Sequence, residues 1–396
     1  MSDVLTLPGF ANCHSHVFHR ALRGRTHGGE GTFWTWRELM YALAGVLDPE
    51  LLYDLARATY AEMALAGVTS VGEFHYLHHS PEGRPYDDPN AMGEAVVEAA
   101  RAAGIRIALL DTCYLTAGFG RDVEGVQRRF SDGDADRWAA RADDLRSRYA
   151  GAAEVVVGAA IHSVRAVPAK QAGTVAAWAA EHAAPLHVHL SEQPAENADC
   201  VAAHGATPTA LLAEQGVWGS RTTAVHATHL TPEDIALLGD SGSYACFCPT
   251  TERDLADGVG PADLLRDAGA TLTLGSDSNA VIDPFEEMRA VELDERLLSG
   301  RRGTWRPADL IAAATVNGQR SLGFDEVADE VEVTGDSVRL AGADLSAGSV
   351  VFAAAPDDIR DVTVGGTPVV RDGRHLLIND VAAELDRAVR ACWSRA

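Results

Sequence analysis

The sequence predicts an α/β protein: a (β/α)8 barrel of the TIM type, extended by a small C-terminal β appendix that reads as an incomplete β-sandwich, and ended by a closing helix. Three observations lead there. Eight short, β-rich apolar runs alternate with Ala-rich amphipathic segments, the pattern of parallel strands with a helix in each crossover. No GxGxxG loop follows the first run, as the competing doubly wound sheet would need. Past residue 330 the helical segments give way to short runs separated by Gly turns.

The first run is LTLPGFANCHSH (5–16), with a helical segment at 49–65. GVTSVGEFHY (67–76) precedes the helical segment 90–103, IRIALLDTCY (105–114) precedes 134–149, and VVVGAAIHSV (155–164) precedes 169–183. APLHVHLSE (184–192) is the fifth run, and TTAVHATHL (222–230) the sixth, with its helix at 231–239. SYACFCPT (243–250) and ATLTLGSDS (270–278) complete the set, the last followed by a helix at 284–298. Beyond them VEVTGDSVRLAG, GSVVFAAA and DVTVGGTPVVRDGRH read as short strands, and 380–394 as the closing helix. The expected division is a barrel over 5–330 and an appendix with its helix over 331–396.

Composition narrows the function. Hydrophobic residues make up 46% and charged residues 23%, which are globular proportions. No run of about 18 apolar residues offers a membrane span. The opening MSDVLTLPGF lacks a basic stretch followed by an apolar one, so a cytoplasmic protein is expected. The net charge of −24 disfavours nucleic acid and anionic membrane surfaces as partners, since both call for a basic face. Six cysteines without a CxxC pair read as reduced thiols.

The chemistry is carried by histidines at the ends of the predicted strands. In His14-Ser15-His16 the two imidazoles share one face of a strand and converge, as a metal requires. His187-Val188-His189 ends the fifth run with Glu192 close behind, His226 and His229 end the sixth, and Asp277 ends the eighth. A hydrogen-bonded core His or a turn Asp accounts for any one of these, but not for four strand ends that a barrel brings to one mouth. Three imidazoles and a carboxylate suit one Zn2+ per chain, with Fe2+ or Mn2+ as alternatives. A cation there lowers the pKa of water towards about 7, and Glu192 is placed to shuttle a proton.

These positions resemble the amidohydrolase superfamily, and the HxxE of His189-Leu190-Ser191-Glu192 resembles its one-metal deaminase branch. Longer stretches resemble the formimidoylglutamate deiminases within that branch, over about residues 5–320. They are PGFANCHSHVFHRALRG (8–24), FWTWRELMY (33–41), EFHYLHH (73–79), HSVRAV (162–167), HVHLSEQPAE (187–196), HATHLTPED (226–234) and GSDSNAVIDPFEEMRAVELDERL (275–297). The resemblance implies hydrolysis of N-formimidoyl-L-glutamate to N-formyl-L-glutamate and ammonia, a step of histidine breakdown. It implies His14, His16, His189 and Asp277 as metal ligands, with Glu192, His226 and Asp277 in proton transfer. It also implies Arg37, Tyr76, His162 and Arg165 as substrate contacts, with His19 where the family commonly has Gln.

Such a substrate carries two carboxylates, which arginine forks bind bidentately. A homodimer is expected. The family commonly places β structure ahead of the barrel, whereas this chain is expected to start at the barrel and leave an open strand edge in 330–375. Two other readings compete. An aminohydrolase acting on a ring, such as guanine, cytosine or an adenosine derivative, has no use for two arginines at the mouth. A scaffold that has lost catalysis commonly loses metal ligands, and here all are present.

Overall fold

The computed structural model describes residues 4–26, 33–325 and 327–396. Its strands in chain order are β1 (Val4–Pro8), β2 (Phe10–Ser15), β3 (Val68–His75), β4 (Arg106–Cys113), β5 (Thr116–Gly118), β6 (Arg121–Asp122), β7 (Val155–Ile161) and β8 (Leu186–Leu190). They continue with β9 (Thr222–His226), β10 (Tyr244–Phe247), β11 (Thr271–Leu274), β12 (Glu330–Thr334), β13 (Ile359–Val364), β14 (Thr367–Arg371) and β15 (Arg374–His375). The eight expected barrel strands are β2, β3, β4, β7, β8, β9, β10 and β11, hydrogen-bonded in that order and all parallel. Every residue of β2, β3 and β8 is buried, because helices cover the sheet outside and side chains fill it inside.

Helices follow the strands, among them Pro49–Leu65, Ala91–Ala103, Ala135–Arg148, Ala169–Glu181, Pro232–Ser241 and Pro284–Ser299, close to the expected bounds. Their starts are chemically marked. The side chains of Asp48, Asp134, Thr231 and Asp283 each accept a backbone N–H of the first turn. Pro49, Pro232 and Pro284 stand at the opening of their helices, where no N–H is needed. No helix among the described residues is long and apolar enough to cross a membrane. All six cysteines are buried free thiols.

The barrel closes between its first and last strands through a parallel bridge of Ser15 with Asp277, just past β11. The Ser276 and Asp277 N–H groups donate to the His14 carbonyl at 3.1 and 2.9 Å, and the His16 N–H donates to the Asp277 carbonyl at 2.9 Å. Gly275 lets the two chains approach: a Cβ there would lie 2.8 Å from the His14 Cβ, N and O.

The structure corrects the sequence reading at the appendix. LTLPGFANCHSH is two strands, not one. Val4–Pro8 pairs antiparallel with β12, and only Phe10–Ser15 enters the barrel. The break falls where Pro8 lacks an N–H and where Gly9 packs so tightly on Thr69 and Asp329 that no side chain fits. Residues 5–8 therefore join the appendix sheet, whose order is β1-β12-β13-β14-β15. It is one five-stranded antiparallel sheet. β12 is paired on both sides, so the open edge expected there is covered by β1. GSVVFAAA is also not a strand. Ala347–Ala353 is a helix, capped by Ser346, whose Oγ accepts the Ser349 N–H. A short apolar run carries no period that separates strand from helix, and the capping serine decides it. Of VEVTGDSVRLAG, only Glu330–Thr334 is strand. The closing helix, Val381–Trp393, ties back to the barrel through Trp393, whose Nε1–H donates to the Ala21 carbonyl at 2.8 Å.

Gly275→Ala tests the seam. Overpacking of this kind costs about 1–3 kcal/mol. The variant is expected to keep its circular dichroism spectrum and to unfold at lower denaturant. A wild-type midpoint would show that the approach of β2 and β11 is not tight.

Candidate active site

Donor atoms of His14, His16 and Asp277 at the seam and of His189 at the end of β8 lie close together. The His14 and His189 Nε2 atoms lie 3.1 Å apart, and those of His16 and His189 3.3 Å apart. Asp277 Oδ1 stands 3.4 Å from His14 Nε2 and 3.5 Å from His16 Nε2. Donors about 2.0–2.1 Å from a tetrahedral zinc would be separated by about 3.3 Å, so the residues present fit a divalent cation. Their protonation fits as well. The His16 Nδ1–H donates to the Phe74 carbonyl at 2.9 Å, which leaves its Nε2 lone pair facing the cluster. Burial pushes the His16 and His189 pKa values well below the ordinary imidazole value and lowers that of His14. Burial opposes the charge of Asp277, but His14, His16 and His226 hold its carboxyl below the usual range. Neutral imidazoles and an ionised carboxylate are the protonation states that a cation needs of its ligands.

Hydrogen bonds behind the donors hold them. Asn12 Nδ2 donates to Ser276 Oγ at 2.6 Å, and Asn12 Oδ1 accepts the Ser276 N–H at 2.9 Å. Asn279 Nδ2 donates to the His16 and Asp277 carbonyls at 3.1 and 3.2 Å. The backbone is bent to suit. Ser191, His226, Ala227, Asp277 and Asn279 have φ of 50°, 68°, 48°, 45° and 55°. These positive angles, unfavourable for residues other than glycine, gather at the ends of β8, β9 and β11, where side chains must turn into the mouth.

His226 stands beside the donor cluster. Its Nδ1 faces Glu252 Oε1 at 3.4 Å, and its Nε2 lies 3.9 Å from both Glu192 Oε1 and Asp277 Oδ2. Burial opposes its charge, yet Glu192, Glu252 and Asp277 raise its pKa well above the ordinary imidazole value. Burial raises the Glu192 carboxyl against the pull of His226. A second three-histidine group, His14, His189 and His226, is also spaced for a metal.

A cleft opens over the cluster, and Arg37, Tyr76, His162, Arg165 and His19 all line it. Arg165 Nε donates to Glu196 Oε2 at 2.8 Å, while Glu196 Oε1 accepts the Ser191 N–H at 2.9 Å. The arginine is thereby locked to the segment that carries Glu192. Arg37 lies on the helix Phe33–Ala44, its guanidinium 5.4 Å from the centre of the Tyr41 ring. His19 Nε2 pairs with the Tyr76 hydroxyl at 3.0 Å. Burial pushes His19 and His162 down to about 3, so both are neutral.

The candidate residues thus meet in one place. His229 does not join them: its Nε2 pairs with the Asp257 carbonyl at 2.8 Å. His187 lies fully buried in the barrel interior, outside the cleft. The sequence reading missed Glu252, Glu196 and Asn279. Glu196 and Asn279 lie inside stretches already singled out, whereas Glu252 follows the seventh barrel strand with no local signal.

Comparison with known proteins points to one family. The sequence model of the amidohydrolase family matches residues 5–366. The chain is 38% identical over 389 residues to formimidoylglutamate deiminase of Pseudomonas aeruginosa, spanning 93% of this chain and 85% of that one. A solved amidohydrolase from Brucella melitensis superposes with a TM-score of 0.91 at 32% identity, over 98% of this chain and 90% of that one. An adenosine deaminase from Xanthomonas campestris with bound zinc gives a TM-score of 0.86 at 25% identity, over 99% and 86%.

Beneath the mouth, Glu73 Oε1 accepts the Val17 N–H at 2.7 Å. Burial raises its carboxyl from 4.5 to about 8, against the hydrogen bonds of Val17, Ser15 and Tyr60. A carboxyl whose pKa is raised on folding favours the folded state while protonated. That contribution is complete below the unfolded value and is lost as pH rises through the folded one. Between pH 4.5 and about 8, wild-type stability is expected to fall more steeply than that of Glu73→Gln, which keeps an acceptor without an ionisation. Thermal denaturation across that range checks it, and parallel curves would refute the assignment.

Proposed function

This chain belongs to the amidohydrolase family, and from that premise we propose that it hydrolyses N-formimidoyl-L-glutamate to N-formyl-L-glutamate and ammonia, a step of histidine breakdown. The observation that carries the reading is the pairing, in one cleft, of a nitrogen and oxygen donor cage with two arginines, in a protein whose net charge is −24. Arginine at the mouth suits a carboxylate-bearing substrate, whose two oxygens match the guanidinium fork.

His14, His16, His189 and Asp277 would hold one Zn2+, with Fe2+ or Mn2+ as alternatives. Bound there, such a cation supplies Lewis acidity that brings the pKa of water towards about 7. The rest falls to the chain. Water adds its oxygen to the formimidoyl carbon, the bond to the terminal nitrogen breaks, and that nitrogen leaves as ammonia while the carbon keeps the oxygen as a formyl group. Glu252 fixes the Nδ1 side of His226, so Nε2 holds or takes a proton of the water beside Asp277. Glu192, close to His226 Nε2 and with a raised pKa, carries a proton to the departing nitrogen. Arg37 and Arg165 orient the two carboxylates, with Tyr76, His19 and His162 closing the wall between them and the cage.

Release of ammonia from N-formimidoyl-L-glutamate by the purified protein tests the reading directly. A preference for guanine, cytosine or an adenosine derivative would replace it with a ring aminohydrolase. Glu192→Gln is expected to retain its metal by elemental analysis and to lose about 10²–10⁴-fold in kcat. A near-normal rate would remove Glu192 from proton transfer. Truncating one partner of a desolvated charge pair costs about 2–5 kcal/mol, so Arg165→Met is expected to lose about 30- to 5,000-fold in kcat/KM. The variant should also distinguish N-formimidoylglutamate from N-formimidoylglycine less sharply than wild type. Unchanged discrimination would mean that Arg165 does not read the substrate.

A further inference from the structure

Three further residues of the cleft wall, Tyr41, Tyr114 and Gln127, come from separate segments and meet there. Gln127 Nε2 donates to the Tyr41 hydroxyl oxygen at 3.1 Å and to that of Tyr114 at 2.9 Å. The Gln127 Oε1 accepts the Glu124 N–H at 3.2 Å, in the cap of the short helix Gly125–Phe130. That bond decides which end of the amide faces the phenols.

Proton counting then gives a direction. Both phenol oxygens already accept, so each hydroxyl proton has to be donated elsewhere. One phenol can donate to the other, but then the second keeps its proton. At least one proton is left for an acceptor in the cleft. The Arg37 guanidinium stacks over the Tyr41 ring, and the Tyr114 ring packs 4.6 Å from His162, itself 5.3 Å from the His189 ring. The hydroxyl pair therefore sits beside the arginines and one ring removed from the donor cage.

A carboxylate has about four acceptor sites, and one arginine fork fills two. Arg165 has already committed its Nε to Glu196. A carboxylate taken out of water needs its remaining acceptors matched. We propose that Tyr41 and Tyr114, aimed by Gln127, bind one of the two substrate carboxylates beside the arginines and so set the preference for a dicarboxylate. The proposal rests on the deimination reading for the identity of the ligand. Tyr41 and Tyr114 are specificity-determining contacts, and Gln127 is a positioning residue.

The test couples a change in the protein to a change in the ligand. The metal-loaded enzyme is titrated calorimetrically with N-formyl-L-glutamate, with its α-amide and with its γ-amide, as wild type and as Tyr41→Phe/Tyr114→Phe. A hydrogen bond to a charged group is worth at least about tenfold in affinity. The double variant is expected to bind N-formyl-L-glutamate at least about tenfold more weakly. For one of the two carboxylates, amidation should cost the variant at least about tenfold less than it costs wild type. Equal amide penalties in both proteins would overturn the proposal, as would a wild type indifferent to both amidations. Phenylalanine keeps the ring contacts with Phe130. Gln127→Met keeps both phenols but removes the amide that aims them. It should shift the same amide penalty in the same direction, and an unchanged penalty would remove Gln127 from positioning. The two readings fail separately. If wild type releases no ammonia from N-formimidoyl-L-glutamate while the coupling persists, the reaction is wrong and the carboxylate shelf stands.

Discussion

The backbone hydrogen bonds that close the barrel also set the distance between its metal-type donors. His14 and His16 lie on the first barrel strand and Asp277 just past the eighth, far apart in sequence. The N–H groups of Ser276 and Asp277 on the His14 carbonyl, and that of His16 on the Asp277 carbonyl, bring them together. The same contacts serve closure and the site. An open sheet of the same strands would leave Asp277 and His14 at opposite edges, and no side-chain preference would reunite them. The absence of a Cβ at Gly275 and the buried Asn12–Ser276–Asn279 bonds serve this junction.

Around the seam, several locally unfavourable features coexist. Five non-glycine residues with positive φ, a buried Glu73, and a buried His226 flanked by three carboxylates all lie at or beneath the mouth. Each positive-φ residue stores of order 1–3 kcal/mol. The fold sustains them because the strands beneath are fully buried and the helices outside are well capped. Strain gathers where side chains must point along the barrel axis, since a regular strand would send them to its faces.

Legibility followed the range of the signal. The barrel could be read because each βα unit announces itself within about 40 residues, through an apolar run, a cap and an amphipathic segment. The donors could be read because HxH places two imidazoles on one face and because strand ends share one mouth. The path of Val4–Pro8 could not, since its partner strand lies more than 300 residues away and nothing in VLTLP names it. GSVVFAAA misled for the opposite reason, its local composition fitting either state until Ser346 capped a helix. Glu252 and the Tyr41–Gln127–Tyr114 contact depend on how helices that follow the strands pack over the mouth, and no local pattern in the sequence gives that packing.

Charge is the remaining tension. A surface of net charge −24 repels a dianion, while the proposed substrate has to reach the cleft. The two effects act over different lengths. At physiological ionic strength the Debye length is about 8 Å, so the many exposed carboxylates are largely screened from an approaching solute. Arg37 and Arg165 would act on that substrate at contact, inside a cleft lined by aromatic rings, where the effective dielectric is lower and the same charges count for more. Arg165 also arrives already held by Glu196, which spends part of its charge on orientation. A compensated arginine attracts a carboxylate less than a bare one does, and that deficit is what neutral donors such as the two phenols are suited to fill. They add hydrogen bonds without adding charge. On the proposed reading, selectivity for a dicarboxylate would depend on the geometry of a few donors in the cleft and little on the overall field of the protein.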